Sequence, residues 1–156
     1  MPKHRFIFWQ TINTQLLAHD KFVQFQITLD NIKCPVCDTA AESNAHLFFD
    51  CYFSQQVVEQ VCLWLGVRSW PTSFNSWQQW LRQTSKDKMQ KVHISIMAVM
   101  IYSILSNKNN CLFNNYSSTT TKVTQEIKKI VYYRLQIAKN RSLKAHEKRY
   151  IESILV

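Results

Sequence analysis

Glycine is nearly missing from this chain: Gly66 is the only one in 156 residues, beside three prolines, Pro2, Pro35 and Pro71. A protein of many short strands needs a tight turn every few residues, and those turns depend on glycine. The scarcity excludes an all-β fold and predicts a mainly α one. It also excludes a glycine-rich loop that could cradle phosphates. Acids are few, ten against nineteen Lys and Arg, for a net charge of +9. A long apolar run is missing too. The longest, "VHISIMAVMIYSIL" at residues 92–105, is shorter than the ~20 residues of a membrane span and is interrupted by His93, Ser95 and Ser103. It reads as a buried core helix, with no membrane expected. No secretory leader is visible, because the apolar stretch at residues 6–9 is too short and lacks a small-residue cleavage site after it. The five cysteines are an odd number, against a closed disulfide framework. A reducing intracellular compartment, nucleus or cytoplasm, is the expectation.

What is present is a concentration of ligand-type residues. "CPVCDTAAESNAHLFFDC" holds Cys34, Cys37, His46 and Cys51 at the spacing C-x2-C-x8-H-x4-C. A C-x2-C turn can aim two thiolates at one ion, Pro35 stiffens it, and the following loop returns His46 and Cys51 to close a tetrahedron. Three sulfurs and one nitrogen suit a single Zn²⁺, and four protein ligands leave no position for substrate, so the site reads as structural. A redox C-x-x-C would want a thioredoxin-like strand–turn–helix setting, which the pattern does not offer. Buried free cysteines are common, but four ligand types at this spacing outweigh that reading. Cys62 lies on an apolar helical face and reads as core. His4, His19, His93 and His146 have no ligand partners at motif spacing, and His93 reads as a satisfied core histidine. Cys51 precedes a helix expected to start at Ser54, whose positive end favours a thiolate. Leu47, Phe48 and Phe49 are expected to carry the metal loop down onto the first helices.

The rest of the chain reads as helices. Phe6, Ile7, Trp9, Ile12 and Leu16 give near-helical spacing over residues 3–16, and a short helix with Phe22 and Val23 starts near Ala18. Val57, Val58, Val61, Cys62 and Leu65 form a stripe that Gly66 ends, and residues 76–81 open another short helix. "SNKNNCLFNNYSSTTT" reads as loop. Val123, Ile127, Ile130, Val131 and Ile137 mark a late amphipathic helix. Leu143, Tyr150, Ile151 and Ile154 continue a similar face after a break at residues 140–142. Two domains are expected: a zinc module over residues 1–66 and a helical extension over 67–156.

The stretches "PKHRFIFWQTINTQLLAHDKF", "CPVCDTAAESNAHLFFDCYFS" and "VCLWLGV" resemble the zinc-binding module of plant non-LTR (LINE-type) retrotransposon reverse transcriptases. That family runs from Pro-Lys and an aromatic-rich helix through C-x2-C and an acidic "E-S-x-x-H-L-F-F-x-C" run to a helix ending "W-L-G". Pro2, Lys3, Trp9, Glu42, Ser43, Trp64 and Gly66 match it, along with the four ligands. "IYSILSNKNN" is similar to a downstream "I-Y-x-I-W-x-x-R-N" segment, with Leu105 in place of tryptophan and Lys108 in place of arginine. The resemblance implies a reverse-transcriptase origin. An upstream polymerase domain, paired polymerase aspartates and an RNase H acidic quartet are not found. The chain is therefore expected to be a non-catalytic C-terminal piece of a retroelement protein, with no small-molecule substrate.

Charge separates the two ends. Residues 1–66 carry four bases against six acids, a net −2, whereas residues 119–156 carry nine bases against three acids, a net +6. Lys122, Lys128, Lys129, Arg134, Lys139 and Arg141 are candidate contacts to RNA or DNA phosphates. The same lysines would also serve as the wet face of amphipathic helices. A second expectation is a protein-interaction module that packed on the ancestral polymerase domain, with exposed Trp9, Trp70, Trp77 or Trp80 as its sign.

Overall fold

The computed structural model describes residues 2–28, 31–68, 70–83, 88–139 and 144–155. Among them run seven α-helices: α1 (Pro2–Ile12), α2 (His19–Gln24), α3 (Tyr52–Leu65), α4 (Phe74–Gln83), α5 (Lys88–Asn114), α6 (Thr120–Lys139) and α7 (Ala145–Leu155). A π turn at His46–Asp50 precedes α3. The described residues hold no strand, only one isolated antiparallel bridge between Lys33 and Ala41. The mainly α expectation holds.

α5 is the axis of the fold, with α1 and α6 packed along it. Residues 96–101 of α5 are all buried, as is Ile104, so the apolar run is the core element expected. The helix is longer than that run. It continues through "SNKNNCLFN" for 27 residues in all, where the polar composition had read as loop. Tertiary contacts override propensity there: Asn107 and Lys108 are buried, and Asn107 Oδ1 accepts the Ser118 backbone N–H at 2.9 Å. Asn115, with φ 49°, then ends the helix in the left-handed region asparagine tolerates. At its full length, Met89–Asn114 is apolar enough to pass as a membrane span. Its buried centre is packed by α1 and α6, so it serves as the core helix here.

α3 packs on α6, and α7 on α6. The α6 stripe Val123, Ile127, Val131 and Leu135 faces inward. Ile137, expected on that face, is 69% exposed, because the buried row advances about 40° at each i, i+4 step and by Leu135 has turned away from Ile137, which points about 160° from it. One apolar core runs from Leu16 and Leu47 through Val57 and Ile101 to Ile127 and Ile154, on both sides of residue 66.

Helix ends explain the remaining shifts. α1 stops at Ile12, and Leu16 is buried from the following turn instead, where its carbonyl accepts Asn44 Nδ2–H at 3.0 Å. α3 begins two residues before Ser54, with Cys51 as its N-cap. Ser54 is buried within the first turn and donates its hydroxyl to the Leu47 carbonyl at 2.6 Å. Gly66 closes α3 at φ 64°, as its position implied. α4 starts at Phe74, not Ser76, because Ser73 and Ser76 cap each other's backbone N–H at 3.2 and 3.0 Å. The expected break at residues 140–142, and Leu143, lie outside the described residues.

Candidate metal centre

The site is assembled from a pinched loop and a π turn. Around the Lys33–Ala41 bridge, Cys34 N–H donates to Ala40 O and Glu42 N–H to Ile32 O, both at 2.8 Å. Asp38 N–H donates back to Cys34 O at 2.8 Å, and Asp38 takes a left-handed φ of 53° to turn the corner. This small hairpin holds Cys34 at its stem and Cys37 in its turn. The other two ligands sit at the ends of the π turn, where Cys51 N–H donates to His46 O at 2.7 Å. In an α-helix residues five apart point about 140° away from each other. An i→i+5 turn closes in about five residues and returns the chain to nearly the same side. The π turn is what lets His46 and Cys51 face one point.

Cys34, Cys37 and Cys51 Sγ and a His46 ring nitrogen all lie within 4.8 Å of one another. Cys37 Sγ is 3.3 Å from His46 Nε2, which assigns Nε2 as the ligand atom. A tetrahedron with Zn–S bonds of ~2.3 Å and Zn–N bonds of ~2.0 Å has edges of about 3.4–3.8 Å, so the cluster is of zinc size. Cys34, His46 and Cys51 are buried and Cys37 half-buried, and it is the one His/Cys/Asp/Glu group of this geometry among the described residues.

The Cys34 and Cys51 thiols are coupled to each other. A hydrogen bond to Cys51 and burial push Cys34 up to about 12. The same hydrogen bond lowers Cys51, and the Ser54 and Phe53 amides at the start of α3 lower it further. Two sulfurs in contact in a dry site share one proton, because both cannot ionise without a cation between them. Bound between them, Zn²⁺ would remove the conflict by holding both as thiolates. The residues fit one structural zinc, and the four protein ligands close its coordination shell.

Phe48 and Phe49 tie this centre to α4. Phe49 meets Phe74 and Trp77 edge-on at 4.9 and 4.7 Å between ring centroids. Leu47 is buried in the main core. Glu42, on the outgoing arm of this loop, reaches α5. Its carboxylate is fully buried, 3.1 Å from Lys108 Nζ, and also accepts the His19 N–H at 3.3 Å. No sequence pattern announces a pair 66 residues apart, although both partners lie in the motifs that carry the family resemblance.

The remaining histidines and bases are placed as follows. His93 Nε2 and Tyr150 OH are 2.7 Å apart, the satisfied histidine expected. Cys62 is half-buried and pushed up by burial. His4 is buried, bonded through Nδ1 to Arg134, and held down to about 4 by burial first and by that guanidinium second. Arg134 therefore links α6 to α1, and it also donates to Ser95 O at 3.5 Å. Lys122 and Lys129 are exposed, Lys122 donating to Tyr116 OH at 2.7 Å. Lys128 Nζ stands 5.4 Å over the Trp64 ring. The Lys139 side chain and Arg141 lie outside the described residues. Tyr132 and Tyr133, exposed beside the lysines, were not among the candidates. The spacing Lys128–Tyr132 and Lys129–Tyr133, i to i+4, is the signal that points to them. Trp77 is buried, Trp70 and Trp80 half-buried, and Trp9 is 54% exposed.

Residues 1–57 match the model of a family described as zinc-binding in reverse transcriptase. No curated protein and no solved structure matches the chain.

Proposed function

With a reverse-transcriptase zinc-binding module at its N-terminus as the premise, we propose that this chain is a non-catalytic accessory unit of a non-LTR, LINE-type retrotransposon of plant type. In this reading it works in the nucleus or cytoplasm. Its zinc is structural, and its C-terminal helices hold RNA or DNA. The observation that carries the proposal is the charge split. The zinc segment is net −2, while residues 119–156 are net +6, with Lys122, Lys129, Lys144, Lys148 and Arg149 exposed on or beside α6 and α7. Such a field attracts phosphates and releases their counterions, and it carries little base identity. Purified zinc-loaded chain titrated with labelled RNA and DNA over a salt series tests it. Expected is binding whose log affinity falls linearly with log salt. Salt-independent binding, or none at low salt, overturns the proposal.

A second reading has its own observation. Phe6 and Trp9, three residues apart on α1, are both more than half exposed. Such a face supports docking onto a polymerase domain. The two readings use different surfaces, and Trp9→Ala should leave RNA binding unchanged under the first.

A further inference from the structure

A groove lies between α3, α6 and α7, lined by Trp64, Lys128, Lys129, Tyr132, Tyr133 and the C-terminal apolar pair Ile154 and Leu155. Among the described residues that line it there is no carboxylate. Tyr132 and Tyr133 are 41% and 60% exposed, adjacent to each other on α6. Their rings sit 6.0 Å apart at 84°, so they present two differently oriented faces. Lys128 holds its ammonium over Trp64, which keeps that charge at the groove's edge.

We infer that this groove binds single-stranded nucleic acid, its lysines meeting phosphates and its tyrosines stacking on bases. The inference rests on the nucleic-acid reading above and names the form of the polymer. Two properties of the groove select it. Positive charge on a lining that holds no carboxylate among the described residues complements a polyanion. Aromatic faces open to solvent add something only if the polymer offers unpaired bases, and a duplex hides its base faces and offers phosphates alone. An acidic protein segment would use the lysines and leave the rings idle.

The test uses the whole zinc-loaded chain and three probes of one sequence: single-stranded RNA, single-stranded DNA and the DNA duplex. At equal salt the single strands should bind at least tenfold tighter than the duplex. Tyr133→Ala should weaken single-strand binding about 5- to 150-fold, the range for loss of one base–aromatic stack, Tyr132→Ala with Tyr133→Ala should weaken it more, and both should leave duplex binding within about twofold. Phenylalanine at both positions should restore it. Zinc content and thermal melting confirm the fold, and if the double variant misfolds, Tyr133→Ala alone carries the test. If Lys128→Gln with Lys129→Gln weakens every probe while the tyrosine variants change none, nucleic-acid binding stands and the stacking groove is wrong. If polyglutamate displaces RNA from the groove as well as RNA itself does, the occupant is an acidic chain and the inference fails. If no probe binds, the underlying reading fails with it.

Discussion

Lys108 shows how one residue ties the metal loop to the helical body. Its ammonium and the Glu42 carboxylate are 7% and 0% exposed, and Glu42 Oε2 has no hydrogen-bond partner among the described residues. Two buried charges gain little over an apolar pair, but removing one strands the other. Lys108→Met should therefore cost about 3–5 kcal/mol in chemical denaturation, whereas pairing it with Glu42→Leu should recover most of the loss. A single variant as stable as the parent would mean that the pair is open to water. Lys108 looked like a loop residue because asparagines surround it in sequence. Its burial is dictated from 66 positions away, which local composition cannot reveal.

His4 makes a second argument at this scale. Burial and the Arg134 guanidinium hold it down to about 4, below its ordinary 6.5. The unfolded chain then takes up a proton that the folded chain refuses. Folding is unpenalised above pH 6.5 and loses stability progressively as pH falls from 6.5 towards 4. Imidazole NMR of the zinc-loaded chain at pH 5.5 should find His4 neutral, and a midpoint near 6.5 would break the contact with Arg134. The four zinc ligands, by contrast, were legible from type and spacing alone, since metal chemistry restricts both.

Among the elements, α3 was the most legible because it carries both of its signals locally: a Val57–Val61–Leu65 stripe and Gly66. The glycine's φ of 64° is costly for other residues, and a Cβ there would meet nothing within 4 Å. Gly66→Ala should cost about 1 kcal/mol by thermal melting, from backbone strain alone. A loss several times larger would show that Gly66 does more than end a helix. The start of α3 was misplaced because Ser54 resembles a cap in sequence but spends its hydroxyl on Leu47 O. The cap belongs to Cys51, which a metal would hold from the other side. The π turn was not legible, since no residue type marks it; it follows from the need to bring His46 and Cys51 to one ion. α7 carries a cap as well, with Glu147 accepting the Lys144 N–H at 2.7 Å.

For the whole molecule, the question is how far the zinc's influence reaches. A structural zinc site binds with an apparent ~10–16 kcal/mol near neutral pH, and that energy is available to folding. Here the π turn contributes Leu47 and Phe48 to the same core that holds Ile101, Val131 and Ile154. Glu42 reaches α5, and Phe49 reaches α4. Nothing in that packing separates the metal loop from the long helices. Chelation, or Cys37→Ala, should therefore loosen α5 and α6 together with the loop, and not the first 66 residues alone. Hydrogen exchange reads this directly. Backbone amides around Met100 and Ile127 should lose protection in step with those around Leu47 when zinc is withdrawn, and regain it when zinc returns. If α5 and α6 keep full protection in the metal-free chain while the loop alone exchanges, the helical body stands by itself and the zinc staples only its own hairpin.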